Sequence, residues 1–141
     1  MKDDESCGLL IKQINSALEK NANNDLRKQD LTFAQITALL AIRDCPERKI
    51  SLKELEKVLH VAQSTTAGII SRLEQKGLVT ALGDSSDKRI KLVQMTLRGE
   101  TCCKEAEQNM QEAEKKLLSG LTETERSVFK SLLQKVRDTL Q

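Results

Sequence analysis

Apolar residues follow a helical period at both ends of the chain and switch to a shorter one in the middle. Leu10, Ile11, Ile14, Ala17 and Leu18 share one stripe, which predicts a helix from about residue 6 to residue 22, ended by the Asn-rich stretch 21–24. Three later starts carry the grammar of a capping box, in which a hydroxyl takes one orphan amide and a residue three places on reciprocates. These are Thr32 with Gln35, Ser51 with Glu54, and Thr122 with Glu125; Leu31/Ile36 and Ile50/Leu55 flank the first two as candidate staples. Thr96 makes a weaker start, because Gly99 stands where the acid would be. From Gln63 to Lys76 the pattern is again helical, with Thr66, Ile69, Ile70 and Leu73 on one face. Gly77 is placed as the left-handed residue that ends the helix, so that Leu78 packs back. Leu78–Leu82 and Ile90–Met95 then read as two strands of a hairpin with a charged tip. Cys103, Ala106, Met110, Ala113 and Leu117 restore the helical period, and Phe129, Leu132, Leu133, Val136 and Leu140 continue it.

The predicted order is four helices, a hairpin and two more helices. A short helix from Ser51, a turn at His60–Ala62, a second helix from Gln63 and a hairpin is the order of a winged helix-turn-helix. The fold class expected is therefore mainly α with a small β-hairpin wing. Composition narrows the function. The chain has 141 residues, one His, two Phe and no Tyr or Trp, so most side chains from which catalytic sites are assembled are missing, and an enzyme is not expected. Cys7, Cys45, Cys102 and Cys103 lack CxxC spacing, which argues against a disulfide scaffold or zinc site; no metal or cofactor is expected. His60 is read as a helix cap. With no apolar run of membrane-spanning length and a polar start, the chain is expected in the cytoplasm, with no membrane partner.

Charge adds a direction. The net charge is only +2, but residues 48–91 hold nine Lys/Arg against five Asp/Glu. That concentration points to a polyanion. On the helix from Gln63, the face opposite the apolar stripe carries Gln63, Ser64, Ala67, Gly68, Ser71 and Gln75. Small side chains let a helix sink into a major groove while amides and hydroxyls reach base edges. A merely solvated face would favour strong helix formers, and Ser64, Thr65, Gly68 and Ser71 are not. Arg72 and Lys76 flank this face where phosphates would run. At the hairpin tip, Lys88 and Arg89 are long cations able to enter a minor groove, and Asp87 is placed to brace Arg89.

The run Val61–Val79, the wing Asp87-Lys88-Arg89 and the following Met95-Thr96-Leu97-Arg98-Gly99 resemble MarR-family transcriptional regulators, and the similarity covers nearly the whole chain. The resemblance implies a single domain over 1–141, with a winged-helix DNA-binding lobe at 31–96 and a helical dimerisation lobe from 6–24 and 97–141. It implies a homodimer on double-stranded DNA, an effector-responsive repressor at a palindromic operator, with Gln63, Ser64, Thr65, Gly68 and Arg72 approaching bases and phosphates. Arg89 would enter the minor groove and Ser51 would meet a phosphate. Members often bind aromatic effectors between the lobes; this chain lacks Tyr and Trp there, leaving Phe33 as the nearby aromatic. It also departs from the family in having Ala62 where a capping Ser or Thr is usual, and Gly68 where a longer polar side chain is common. Two other uses stay open: a winged helix that docks a protein through the Gln63 helix, and a redox-sensing repressor. Cys7 lies where the peroxide-sensing branch keeps its thiol, but the Tyr partners are absent and no cation follows within four residues, so a structural cysteine is expected.

Overall fold

The computed structural model describes residues 5–83 and 91–141. Its elements are α1 (Cys7–Lys28), α2 (Phe33–Arg43), a short 3-10 turn (Pro46–Arg48), β1 (Lys49–Ser51), α3 (Leu52–Leu59), α4 (Gln63–Gln75), β2 (Val79–Gly83), β3 (Lys91–Met95), α5 (Leu97–Leu118) and α6 (Glu123–Leu140). Two compact units result, residues 1–109 and 110–141.

The larger unit is built around α2, whose Ile36, Ala38, Leu39 and Ile42 are buried. Leu55 of α3, Ile70 and Leu73 of α4, and Cys103 and Ala106 of α5 complete the core with Ile50, Val79, Val93 and Met95 of the sheet. The capping box predicted at Thr32 forms in full: Gln35 N donates to Thr32 Oγ1 at 3.1 Å, and Thr32 N donates to Gln35 Oε1 at 3.2 Å. At Ser51 only half the box forms. Its Oγ accepts from Glu54 N at 3.1 Å, but Ser51 is also the last residue of β1, paired opposite Leu92.

One expectation needs correction. The first helix does not stop at the asparagines but runs to Lys28. Asp30 (φ 58°) takes the left-handed position, with Asp30 N bonded to Arg27 O and Leu31 N to Leu26 O. This Schellman arrangement brings Leu31 into the core beside Leu26, an apolar gain that outweighs the middling helix propensity of Asn. The wing's predicted hairpin forms from β2 and β3, and β1 adds a third strand to it. The sheet has the order β1-β3-β2, all antiparallel, with Ile50 opposite Val93 and Val79 opposite Met95. The end of α4 follows the sequence pattern: Gly77 (φ 75°) is left-handed, and Leu78 N reaches Leu73 O at 3.0 Å.

The smaller unit contains the end of α5 and α6, with the predicted box complete at Thr122 and Glu125. Among the described residues, α1 and α6 contribute no buried side chain. Leu9, Leu10, Ile11 and Ile14 of α1 and Val128, Leu132, Leu133 and Val136 of α6 are exposed.

Candidate nucleic-acid interface

The helix-turn-helix is assembled by local chemistry. Ser51 caps α3 at one end, and His60 ends it in the left-handed conformation (φ 55°, ψ 41°), its N–H bonded to Glu56 O. Two residues later Ala62 opens α4 without a side chain that could cap it. Thr66, fully buried, instead donates its hydroxyl back to Ala62 O at 3.2 Å.

Burial then sorts α4 into two faces. Thr66, Ile70 and Leu73 turn into the core, while Gln63, Ser64, Thr65, Ala67, Gly68, Ser71, Arg72 and Gln75 are exposed. Gly68 is informative here. Among the described residues, no heavy atom lies within 4 Å of where its Cβ would be, so packing does not require glycine. A residue that costs a helix roughly 0.5–1 kcal/mol relative to Ala therefore sits on the open face without a structural reason. With Thr32 and Gln35 at the start of α2, the residues Gly68, Ser71, Arg72, Gln75 and Lys76 line an open polar cleft.

Lys76 differs from its expected orientation. Its ammonium donates to Gln35 Oε1 at 2.9 Å and to the Asp30 carbonyl oxygen, with the Asp30 carboxylate 4.0 Å away. The Asp87, Lys88 and Arg89 positions lie outside the described residues, but the strands that carry them are fixed. Glu74 of α4 accepts from Ala81 N of β2 at 3.2 Å, and Thr96 donates its hydroxyl to Gly77 O at 2.7 Å while accepting from Gly99 N at 3.1 Å. The bond from Gly99 N is the helix start the sequence offered at Thr96, whereas the Glu74–Ala81 and Thr96–Gly77 links were not visible in it, because each depends on how α4 lies against the strands.

The remaining chemistry is sparse. Burial pushes the thiols of Cys45, Cys102 and Cys103 up, Cys103 to about 11, so they stay protonated at neutral pH and make poor nucleophiles. Cys7 is exposed at the first position of α1. Among the described residues, no group of three His, Cys, Asp or Glu side chains is placed to hold a metal, and no helix is long and apolar enough to cross a membrane. Phe33 stands exposed at the start of α2.

Known proteins share this arrangement. A model of the MarR family matches residues 29–90. The multiple antibiotic resistance protein MarR of Escherichia coli is 35% identical over 130 residues, covering 92% of this chain and 89% of that protein. A crystal structure of an E. coli MarR variant complexed with operator DNA superposes with a TM-score of 0.67 at 35% identity, over 92% of this chain and 91% of that one. BpsR of Bordetella bronchiseptica, whose DNA binding is regulated by 6-hydroxynicotinic acid, superposes with a TM-score of 0.66 at 27% identity, over 98% and 97%. With the helix-turn-helix, the three-stranded wing sheet and these relatives in agreement, the chain belongs to the MarR family of transcriptional regulators.

Proposed function

We propose that the chain is a sequence-specific DNA-binding transcriptional regulator, an effector-responsive repressor that binds a palindromic operator as a homodimer. The observation that carries this reading is the sorting of α4: its apolar side is spent on the core, and the side left open is small, polar and flanked by Arg72. A face that docks a protein would be apolar at its centre, and this one is not.

In this reading Gln63, Ser64 and Thr65 meet base edges, Gly68 allows close approach, and Arg72 and Ser51 meet phosphates. Arg89, braced by Asp87 and joined by Lys88, enters the minor groove. Residues 31–96 form the DNA-binding lobe, and 6–24 with 97–141 form the dimerisation lobe, a role that suits the exposed apolar stripes of α1 and α6. A small molecule between the lobes would alter the spacing of the two reading heads, as a ligand that favours one state shifts the population toward it. The chain carries out no chemistry of its own and acts in the cytoplasm.

Selection of bound duplexes from a random pool, followed by fluorescence anisotropy across a salt series, tests the assignment. Gln63→Ala should cost about 1–3 kcal/mol on the selected site and leave random DNA bound nearly as before. Arg72→Ala should weaken binding to all sequences and flatten the slope of log K against log salt by about one unit per protomer. Failure to select any sequence at moderate salt would overturn the reading.

A further inference from the structure

We propose that Lys76 is a positioning residue that sets the angle at which α4 is presented to DNA, rather than a contact to the DNA backbone; the proposal rests on the reading of α4 as the DNA-reading helix. An ammonium has three protons to donate. Two are spent on Gln35 Oε1 and the Asp30 carbonyl oxygen, and the Asp30 carboxylate lies at 4.0 Å. Its charge is thus answered within the protein.

The acceptors are themselves fixed. Gln35 is only 4% exposed, and its Oε1 is shared with Thr32 N in the α2 capping box. The Asp30 carbonyl belongs to the turn that the Leu26–Leu31 closure holds. Lys76 therefore joins the C-terminal end of α4 to two rigid points on a different part of the lobe. Apolar packing of Thr66, Ile70 and Leu73 resists separation but allows rocking, whereas a polar bond with one acceptor geometry does not.

Among the described residues, the opposite end of α4 has no comparable side-chain bond to another element, since Ala62 supplies no cap. Gln63 lies thirteen residues from Lys76, or about 20 Å at helical rise. A tilt of about 5° about the Lys76 end would move Gln63 by about 1.7 Å, more than the roughly 0.5 Å range over which a hydrogen bond holds. Loss of the clamp should therefore degrade base reading at the far end without removing any charge that faces the DNA.

Binding to the selected site and to random duplex of equal length, measured by anisotropy over a salt series, separates the possibilities. Lys76→Met should lower the ratio of the two affinities by about tenfold while leaving the salt slope of each unchanged, and Lys76→Arg, which reaches the same acceptors, should restore the ratio. Gln35→Met removes the acceptor but keeps the Lys76 charge, and should lower the ratio likewise; it carries the test if circular dichroism shows Lys76→Met unfolded. A salt slope flattened by about one unit per protomer in Lys76→Met, with the ratio kept, would make Lys76 a phosphate contact and overturn the proposal. So would an unchanged ratio in Gln35→Met. If the parent protein prefers no sequence, the DNA reading itself fails, an outcome distinct from a parent with a preference that both variants retain.

Discussion

At position 99 a Cβ would lie 2.3 Å from the Leu78 carbonyl oxygen and 2.8 Å from Met95 Cγ, so the first turn of α5 touches the base of the wing backbone to backbone. That contact explains why the capping box at Thr96 lacks its acid: a Glu side chain cannot occupy the place where Leu78 passes. At position 68 the opposite holds, and a methyl group would meet open space. The two glycines should respond in opposite senses to the same change. Gly99→Ala should destabilise the protein by about 1–3 kcal/mol, because the nearest atom is backbone and cannot yield cheaply. Gly68→Ala should instead stabilise it by roughly 0.5–1 kcal/mol and weaken binding to the selected DNA site by obstructing close approach. Urea denaturation at one fixed protein concentration, with anisotropy on the same samples, checks both signs. A Gly68→Ala protein that gains stability and keeps its affinity would show that the helix does not approach DNA at that residue.

Among the described residues, Thr96 is one of the polar joints at which elements meet. Its hydroxyl donates to Gly77 O and accepts from Gly99 N, while its own N–H donates to Leu78 O at 3.1 Å. The end of α4, the return of β3 and the start of α5 thus share one side chain. Thr96→Val keeps the shape and removes the hydroxyl, leaving one acceptor and one donor without their partner. It should cost about 1–2 kcal/mol by denaturation, whereas Thr96→Ser should cost less than half of that. Equal losses in the two variants would mean that the methyl group, not the hydroxyl, matters. The pattern of what was legible follows from range. The boxes at Thr32/Gln35 and Thr122/Glu125 and the stop at Gly77 involve partners three to five residues apart, and they could be read directly. The true end of α1 depended on Leu31 entering a core that no local pattern displays. Three-residue β1 was too short to show a period, and it exists because Ile50 pairs with Val93 more than forty residues away. The α4 face was legible because burial sorts it by helical period. The direction of Lys76 was not, since its acceptors at Asp30 and Gln35 are over forty positions distant.

For the molecule as a whole, the unanswered surface is apolar. The 22-residue α1 and the 18-residue α6 each bear a helical stripe of exposed Leu, Ile and Val. An amphipathic helix gains most of its stability from burying such a stripe, and a soluble monomer rarely leaves several of them open. In the proposed homodimer a second copy of the chain would close the same surfaces by two-fold symmetry, an arrangement suited to palindromic DNA with half-site centres about 10 base pairs apart. Light scattering should accordingly give twice the mass of one chain. Leu132 and Val136 are one turn apart on the exposed stripe of α6, so Leu132→Glu with Val136→Glu should place four carboxylates in a two-fold interface and drive the protein toward monomer. Such a monomer retains the α4 face but loses the linked second half-site, and its affinity for the selected site should drop by about a hundredfold or more. Affinity for an isolated half-site should change little. If the double variant remained a dimer, or if it became monomeric yet bound the full palindrome as tightly as the parent, α6 would not be the element that joins the two copies.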